Sequence, residues 1–520
     1  MQNKRRFLWQ ALLMTGVSLL LRSVGVSAQV IIASRIGAEA VGISSLIGGV
    51  YGFAVTLALS GIQFGTTRQM AECLGKEDLP LAHQTMRCCM AHALAFGLLS
   101  GGILFFGAST IATLWLRDLR TVTSLRVMAI TLPAVSLASC FSGYFVAVRR
   151  VYKSATVQVV EEVLRVGLTL LLLSRMVSGG LESALLALAL GGTIADLFSG
   201  LVLYILYRFD RRRHLALPKA NSPLPSLSST ARRLLSLTMP VAVAAYARSG
   251  LITLEHMLIP IGLQSFGQSH AEALSSYGLV QSMALPVLLF PCALTGAFAG
   301  LFIPEVTEAH VKGELTRMRY MMQRVFSLTL LYAIGAAGLM MAFSYELGMA
   351  LYDSREAAEF IRLLAPLIPV MYLDSATDAM LKGLGEQVYS MKVNIFDASL
   401  SVLLVWLLVP RIGIMGYVVT IYTTELLNAA LSIVRLLNIL QPRTQVMTWV
   451  VKPLAAIVAA TTLTRLVYAL IPASLTPVGR GSAVILLVVL ALVLYALFSI
   501  LLGAVRREQL WWIGSFFVEK

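Results

Sequence analysis

The sequence predicts an all-α fold that lives in a lipid bilayer, and three observations predict it. Composition comes first: 58% of the 520 residues are hydrophobic and 13% are charged, against about 25% charged in soluble domains, and the mean hydropathy is +0.81. The second is run length, because the apolar stretches match the about 20 residues that a helix needs to cross a bilayer and lack the short alternation of a membrane barrel. The third is charge placement. The net charge is +15, yet the basic residues fall in short clusters between apolar runs, which excludes nucleic acid as the expected partner and points to anionic membrane lipid.

Taken in order, the first run opens after Lys4, Arg5 and Arg6 and extends to Ile32. It is longer than the about 7 to 15 apolar residues of a signal-peptide core, so it reads as a membrane helix. Spans are expected near 8–33, 40–64, 88–112, 123–148, 155–176, 181–206, 235–262, 274–303, 323–346, 357–383, 389–410, 413–438, 447–471 and 481–505, about fourteen in all. Lys and Arg mark cytoplasmic loops, and they alternate here. One side carries Arg68 and Lys76, Arg149, Arg150 and Lys153, Arg208 with Arg211 to Arg213, and Arg317 with Arg319; the other carries single charges such as Arg35, Arg117 and Arg120. The expected location is the cytoplasmic (inner) membrane, multi-pass, with both termini cytoplasmic.

The longest connection, RFDRRRHLALPKANSPLPSLSSTARR, reads as a basic cytoplasmic linker over 207–234. It separates a six-helix lobe at 1–206 from another at 235–440, and 441–520 adds two helices and an amphipathic tail with Trp511 and Trp512. Attraction to lipid headgroups explains the linker's charge without a specific partner site. The five cysteines form no metal or redox spacing. No GxxxxGK[ST], HExxH or GxSxG motif occurs, so neither nucleotide hydrolysis nor another enzymatic activity is expected.

The lobes are expected to be repeats. LLLRSVGVSAQVIIASRI in the first span aligns with AYARSGLITLEHMLIPIG in the seventh, matching Arg22 to Arg248 and Gln29 to Glu255. Pro133 matches Pro369, and the same offset pairs Gln158 with Asn394 and Glu161 with Asp397. Six helices per repeat give both halves one orientation, with a pseudo-two-fold axis along the membrane normal and a substrate site between them.

The run RSVGVSAQVIIASRIGAEAVGISSLIGGVYGFAVTLALSGI, followed by TRQMAECLGK, resembles the start of the stage V sporulation protein B family. That family belongs to the superfamily of multidrug, oligosaccharidyl-lipid and polysaccharide exporters. The resemblance implies a flippase for polyprenyl-diphosphate-linked saccharides, peptidoglycan or spore-cortex precursors among them, working by alternating access as a monomer. Its implied partners are the lipid-linked saccharide, membrane lipids and cell-wall synthases. It implies no cofactor beyond sodium or protons as coupling ion. A cation-coupled multidrug exporter and a non-transporting scaffold for cell-wall synthesis are the alternatives.

The intramembrane polar residues carry the chemistry. A central arginine costs about 2.5 to 3.5 kcal/mol on insertion scales, so Arg22 and Arg248 should face protein or a wet cavity. Two guanidinium forks suit a diphosphate; buried ion pairs are the plainer reading. Asp374 and Asp378 share one stripe of span ten, where Lys382 follows Asp378 at i+4, and Glu161 stands at i−4 from Arg165 in span five. Where resembling lipid II flippases carry further arginines in the first and eighth spans, this chain has Ala28 and Gln281. Arg22, Arg248, Asp374, Asp378 and Gln281 are the candidate substrate set. Glu255, Asn394 and Asp397, with Thr420, offer hard oxygen ligands on spans expected to meet within one lobe, and the resemblance implies a sodium site on those spans. A structural polar network is the alternative.

Overall fold

A computed structural model describes residues 2–504 apart from 77, 177–178, 215–225, 293–304, 443–444 and 471–479; the side chains of 2–20, 22, 213–214, 468–470 and 480–484 are not described. Helices dominate, as a bilayer demands of a chain that must pair its own backbone N–H and C=O groups. Helix α1 (Gln2–Leu59) kinks at Gly37, whose φ of +81° and ψ of 170° suit glycine alone. Its 58 residues would reach about 87 Å if straight, against a hydrocarbon core of about 30 Å, so the break at Gly37 is what lets the chain form two spans. Ser60 and Gly61, both at positive φ, turn the chain into α2 (Ile62–Gly75).

Next comes α3 (Leu79–Thr110), whose Asp78 cap accepts from the Leu81 N–H at 3.0 Å. It continues as a π-helical turn over Ile111–Leu116. α4 (Val122–Ala129) and α5 (Leu132–Ala147) meet at a 42° bend. Gly97 of α3 lies against that bend: a Cβ there would stand 2.7 Å from Pro133 Cα. α6 (Val151–Met176) and α7 (Leu181–His214) form a hairpin, and α8 (Leu227–Ser265) follows.

The chain goes on with α9 (His270–Gly278), a π turn (Leu279–Ala284) and α10 (Leu285–Leu289). Then come α11 (Leu315–Ala342), α12 (Ser344–Tyr352), α13 (Arg355–Leu364), α14 (Ile368–Gly383), α15 (Gln387–Ile412), α16 (Ile414–Leu440), α17 (Lys452–Leu470) and α18 (Arg480–Leu501). Among the described residues nine helices are long and apolar enough to cross a membrane, or ten if α4 and α5 make one span. The protein is a multi-pass membrane protein.

Two compact units emerge, residues 39–275 and residues 1–38 with 276–520. The core of the first packs Met70, Met86, Phe141, Tyr144, Phe145 and Tyr207. In the second, Phe326, Phe343, Met380, Leu440, Trp449 and Tyr495 close around α11. There the α17–α18 pair docks on Gly335, whose missing side chain makes room for the Tyr495 ring, and the Tyr495 hydroxyl donates to Leu331 O at 2.6 Å.

The expected repeat has a counterpart in the helix boundaries. α5 and α14 are each 16 residues long, and α6 and α15 are each 26 residues long. The offset that takes Pro133 to Pro369 also takes Leu132 to Ile368, Ala147 to Gly383, Val151 to Gln387 and Met176 to Ile412, so both pairs agree at both ends. Pro133 and Pro369 stand at the second position of α5 and α14, where a missing N–H costs no helical hydrogen bond. The leading helices are exchanged: residues 1–38 group with 276–520, and α8 groups with 39–275.

Candidate functional site

In unit 39–275 the polar centre is built on α6, α7 and the second part of α1. The i, i+4 spacing places Glu161 Oε1 2.6 Å from Arg165 Nη2, and Glu162 lies 3.4 Å from Arg165 Nε. The same guanidinium reaches Asp196 Oδ1 on α7 at 2.9 Å, and the Tyr51 hydroxyl donates to Asp196 Oδ2 at 2.9 Å. Asp196 is thus the partner of an arginine. One cation serves three carboxylates, and it is covalently fixed.

The corresponding centre of the other unit lies on α14, α15 and α16. Lys382 pairs with Asp378 at 2.5 Å, as its spacing predicts, and Ser390 Oγ donates to the other Asp378 oxygen. One turn deeper, Asp374 accepts from Asn428 Nδ2 at 3.2 Å and is hydrogen-bonded by Ser432. Its Oδ1 is buried with no hydrogen-bond partner among the described residues. Asp378, Asp397 and Lys382 all act on Asp374 electrostatically. Asn394 donates to Ser390 O at 2.8 Å. Thr420 is fully buried, and its hydroxyl is turned back onto Gly416 O at 2.8 Å. The offset that pairs Glu161 with Asp397 places Ser401, buried on α15, opposite Arg165.

Glu255 does not share a unit with its expected companions. It lies on α8, within 39–275, whereas Asn394, Asp397 and Thr420 lie in the other unit. The exchange of leading helices is the physical reason: α8 packs on α1 through Thr253, whose hydroxyl donates to Gly49 O at 3.1 Å, and through Ser249, which accepts from Thr56 at 3.1 Å. Arg248 is exposed midway along α8, and among the described residues no carboxylate pairs with it. Arg22 lies on α1, and its side chain falls outside the described residues.

Gln281 occupies the π turn after α9. Its Oε1 accepts from the Tyr417 hydroxyl at 2.9 Å, and the neighbouring Ser282 O accepts from Gln29 Nε2 at 3.3 Å. Such π segments recur at functional sites, and sequence periodicity does not reveal them. Sequence reading also passed over Tyr51, Tyr417, Ser390, Asn428 and Ser432. The tyrosines read as apolar, and Ser or Asn in a span is unremarkable until a carboxylate is found beside it.

Residues 9–260 match the family model for polysaccharide biosynthesis protein, and residues 253–407 match the MatE model. Stage V sporulation protein B of Bacillus subtilis (strain 168) is 25% identical over 441 residues, covering 82% of this chain and 83% of that protein. Lipid II flippase MurJ of the same organism is 22% identical over 364 residues, covering 65% and 66%. Among solved structures, lipid II flippase MurJ in an inward closed conformation aligns with a TM-score of 0.68 at 10% identity, over 94% of this chain and 98% of that one. An inward-facing multidrug resistance MATE family transporter of the MOP superfamily aligns at 0.63 and 14% identity, over 82% and 99%.

Proposed function

We propose that this chain, similar over most of its length to stage V sporulation protein B and matched in its two halves by the polysaccharide biosynthesis protein and MatE models, is a MOP-superfamily flippase that moves a polyprenyl-diphosphate-linked saccharide across the cytoplasmic membrane by alternating access. On this reading the chain has about fourteen spans, two six-helix repeats followed by two added helices, and both termini in the cytoplasm.

The observation that carries it is Arg248. An exposed guanidinium in the middle of an apolar helix, with no carboxylate beside it among the described residues, is disfavoured against lipid by about 2.5 to 3.5 kcal/mol. Water or an anion must meet it. A diphosphate offers the paired oxygens that its fork of donors fits, and Arg22 occupies the matching position in the first repeat. Asp397 and Asp374 supply the coupling. An exchangeable sodium ion or proton at these carboxylates is the coupling species on this reading. An inside-negative potential contributes about 2.3 kcal/mol per charge per 100 mV to outward movement of the anionic head group, and inward cation movement resets the empty carrier.

Reconstitution in liposomes tests the proposal. A fluorescent short-chain polyprenyl-diphosphate saccharide should become accessible on the far leaflet at a rate that depends on the protein, while a cationic dye should not move. Dye movement without lipid movement would make the protein a drug exporter, and movement of neither would make it a scaffold.

A further inference from the structure

The chain passes between its two compact units twice, at residues 38/39 and 275/276. The first directly follows Gly37, held at a φ of +81°, and the second lies within α9 (His270–Gly278). Hinge motion is absorbed by a few residues, and the Gly37 kink is such a place. Four charged or titratable side chains of unit 39–275 gather beside both crossings. Asp118, in the turn between the π end of α3 and α4, is 7% exposed. It accepts from the Arg120 backbone N–H at 3.0 Å and from the Arg120 side chain at 2.6 to 3.0 Å. The same guanidinium reaches Glu39, the first residue after one crossing, at 3.1 Å. His270 opens α9, which carries the chain over the other crossing, and its Nε2 stands 3.7 Å from Asp118 Oδ2.

We propose that Glu39, Asp118, Arg120 and His270 form a proton-sensitive clamp on the two crossings, positioning the segments about which the units alternate. Glu39, Asp118 and Arg120 together carry one negative charge in excess. Protonation of His270 supplies the missing positive charge and turns its approach to Asp118 into a charge-assisted hydrogen bond. His270 Nε2 is buried without a hydrogen-bond partner among the described residues, so the bond has an open site. Its Nδ1 lies 3.0 Å from Gln264 Nε2; that geometry fits the neutral ring, and rotation of the Gln264 amide presents its oxygen to the protonated one. Burial opposes ionisation of Asp118, but the Arg120 hydrogen bonds outweigh it and hold the carboxyl below the usual carboxylate range. Asp118 therefore stays charged. The remaining neighbouring acid, Glu272 on the helix of His270 itself, is engaged by the Ser269 N–H and hydroxyl at 2.8 and 2.9 Å, a capping box.

By the charge of its loops this cluster lies on the face opposite the cytoplasmic basic clusters, where an outward proton gradient makes the medium acidic. The proposal rests on alternating access but not on the identity of the cargo, and its test uses no substrate. Nitroxide labels at Val311 and Leu227, exposed positions in different units, would be introduced into the full chain carrying Cys88→Ser and Cys292→Ser. Electron–electron distances would be measured in nanodiscs between pH 8 and pH 5.5. The ratio of short to long distances should change with pH by up to about tenfold per pH unit, the most that one coupled proton yields. His270→Gln should freeze the high-pH distribution, and His270→Lys, a permanent cation, should give the low-pH distribution at every pH. A pH-independent distribution in the parent protein, or the same shift in a folded His270→Gln protein, would overturn the clamp. If His270→Gln does not fold, His270→Lys still decides, because an unchanged pH response there overturns it equally. A failed flipping assay with an intact pH response would reject the cargo and leave the clamp.

Discussion

Helices α6 and α15 have the same length and boundaries that correspond under the offset taking Pro133 to Pro369, yet they handle charge in opposite ways. On α6, Glu161 and Glu162 face Arg165, which also holds Asp196. On α15 the acid is Asp397 in place of Glu161 and the arginine is replaced by Ser401; Asp374, which interacts with Asp397, replaces Ala138 of the first repeat. The α6 centre carries its counter-ion, Arg165, on the same helix as two of its acids. Under the same offset only Glu161 keeps an acid, Asp397; Glu162 falls on Ala398, Asp196 on Ser432 and Arg165 on Ser401, while Asp374 and Asp378 are acids without a counterpart. The basic-side ends of the two hairpins show the inverse pattern: Arg150 and Lys153 close on Asp210 in one hairpin, and at the matching end of the other Glu386 closes on Arg435 at 2.7 Å. Both ends are neutralised internally with the signs reversed, so the difference at the centre is not a general loss of ion pairs from the second repeat.

Neutralising the acids should break the comparison most completely. Asp397→Asn should abolish the sodium or proton dependence of flipping in proteoliposomes while leaving the protein folded, and Glu161→Gln should leave that dependence in place. Equal ion dependence in the parent and in Asp397→Asn would reduce the α14–α16 cluster to a structural network.

The arginines come next. Arg22→Lys retains charge but loses the fork, and one charge-assisted contact is worth about 1.5 to 3 kcal/mol, so apparent substrate affinity should fall roughly ten- to a hundredfold. Arg248→Lys should show a smaller defect, and the double variant should be non-additive if both residues hold one diphosphate. Full flipping by Arg22→Ala at normal membrane abundance would remove the diphosphate clamp.

Stability should follow the fixed counter-ion. Arg165→Met strands Asp196 and two glutamates, and breaking a buried pair costs about 3 to 5 kcal/mol. Because the Arg165 side chain is 35% exposed, about 2 kcal/mol is the expected loss after solvent screening, read as a lower melting temperature. Ser401→Ala, at the matching place, should change it by no more than about 0.5 kcal/mol. Comparable losses in the two variants would erase the distinction between the repeats. Tyr417→Phe, which removes the donor to Gln281, should cost about 1 kcal/mol, less than Arg165→Met; no change in melting would leave that bond without weight.

Much of this was legible before any coordinates. Apolar run length locates the helices, and the spacing of Glu161 with Arg165 and of Asp378 with Lys382 foretells two ion pairs, because i, i+4 neighbours on a helix must meet. The Pro133–Pro369 offset anticipates helix boundaries that agree at both ends. What sequence could not supply was partnership across helices. The exchange of leading helices depends on a glycine kink at Gly37 and on close packing of α8 against α1 at Gly49 and Thr56, none of which leaves a periodic signal. Glu255 was therefore expected beside Asn394 and Asp397, although it belongs to the other compact unit. The π turn that carries Gln281, and the hydroxyls of Tyr51 and Tyr417, are silent in hydropathy for the same reason.

Cation binding itself tests the contrast between the repeats most directly. Purified protein in nanodiscs would be titrated with radioactive sodium, and with protons by pH-stat, without substrate. A saturable site for one of these ions should be present in the parent and in Glu161→Gln and absent from Asp397→Asn and Asp374→Asn. Loss of binding in Glu161→Gln with retention in both aspartate variants would place the ion in the first repeat and contradict the assignment.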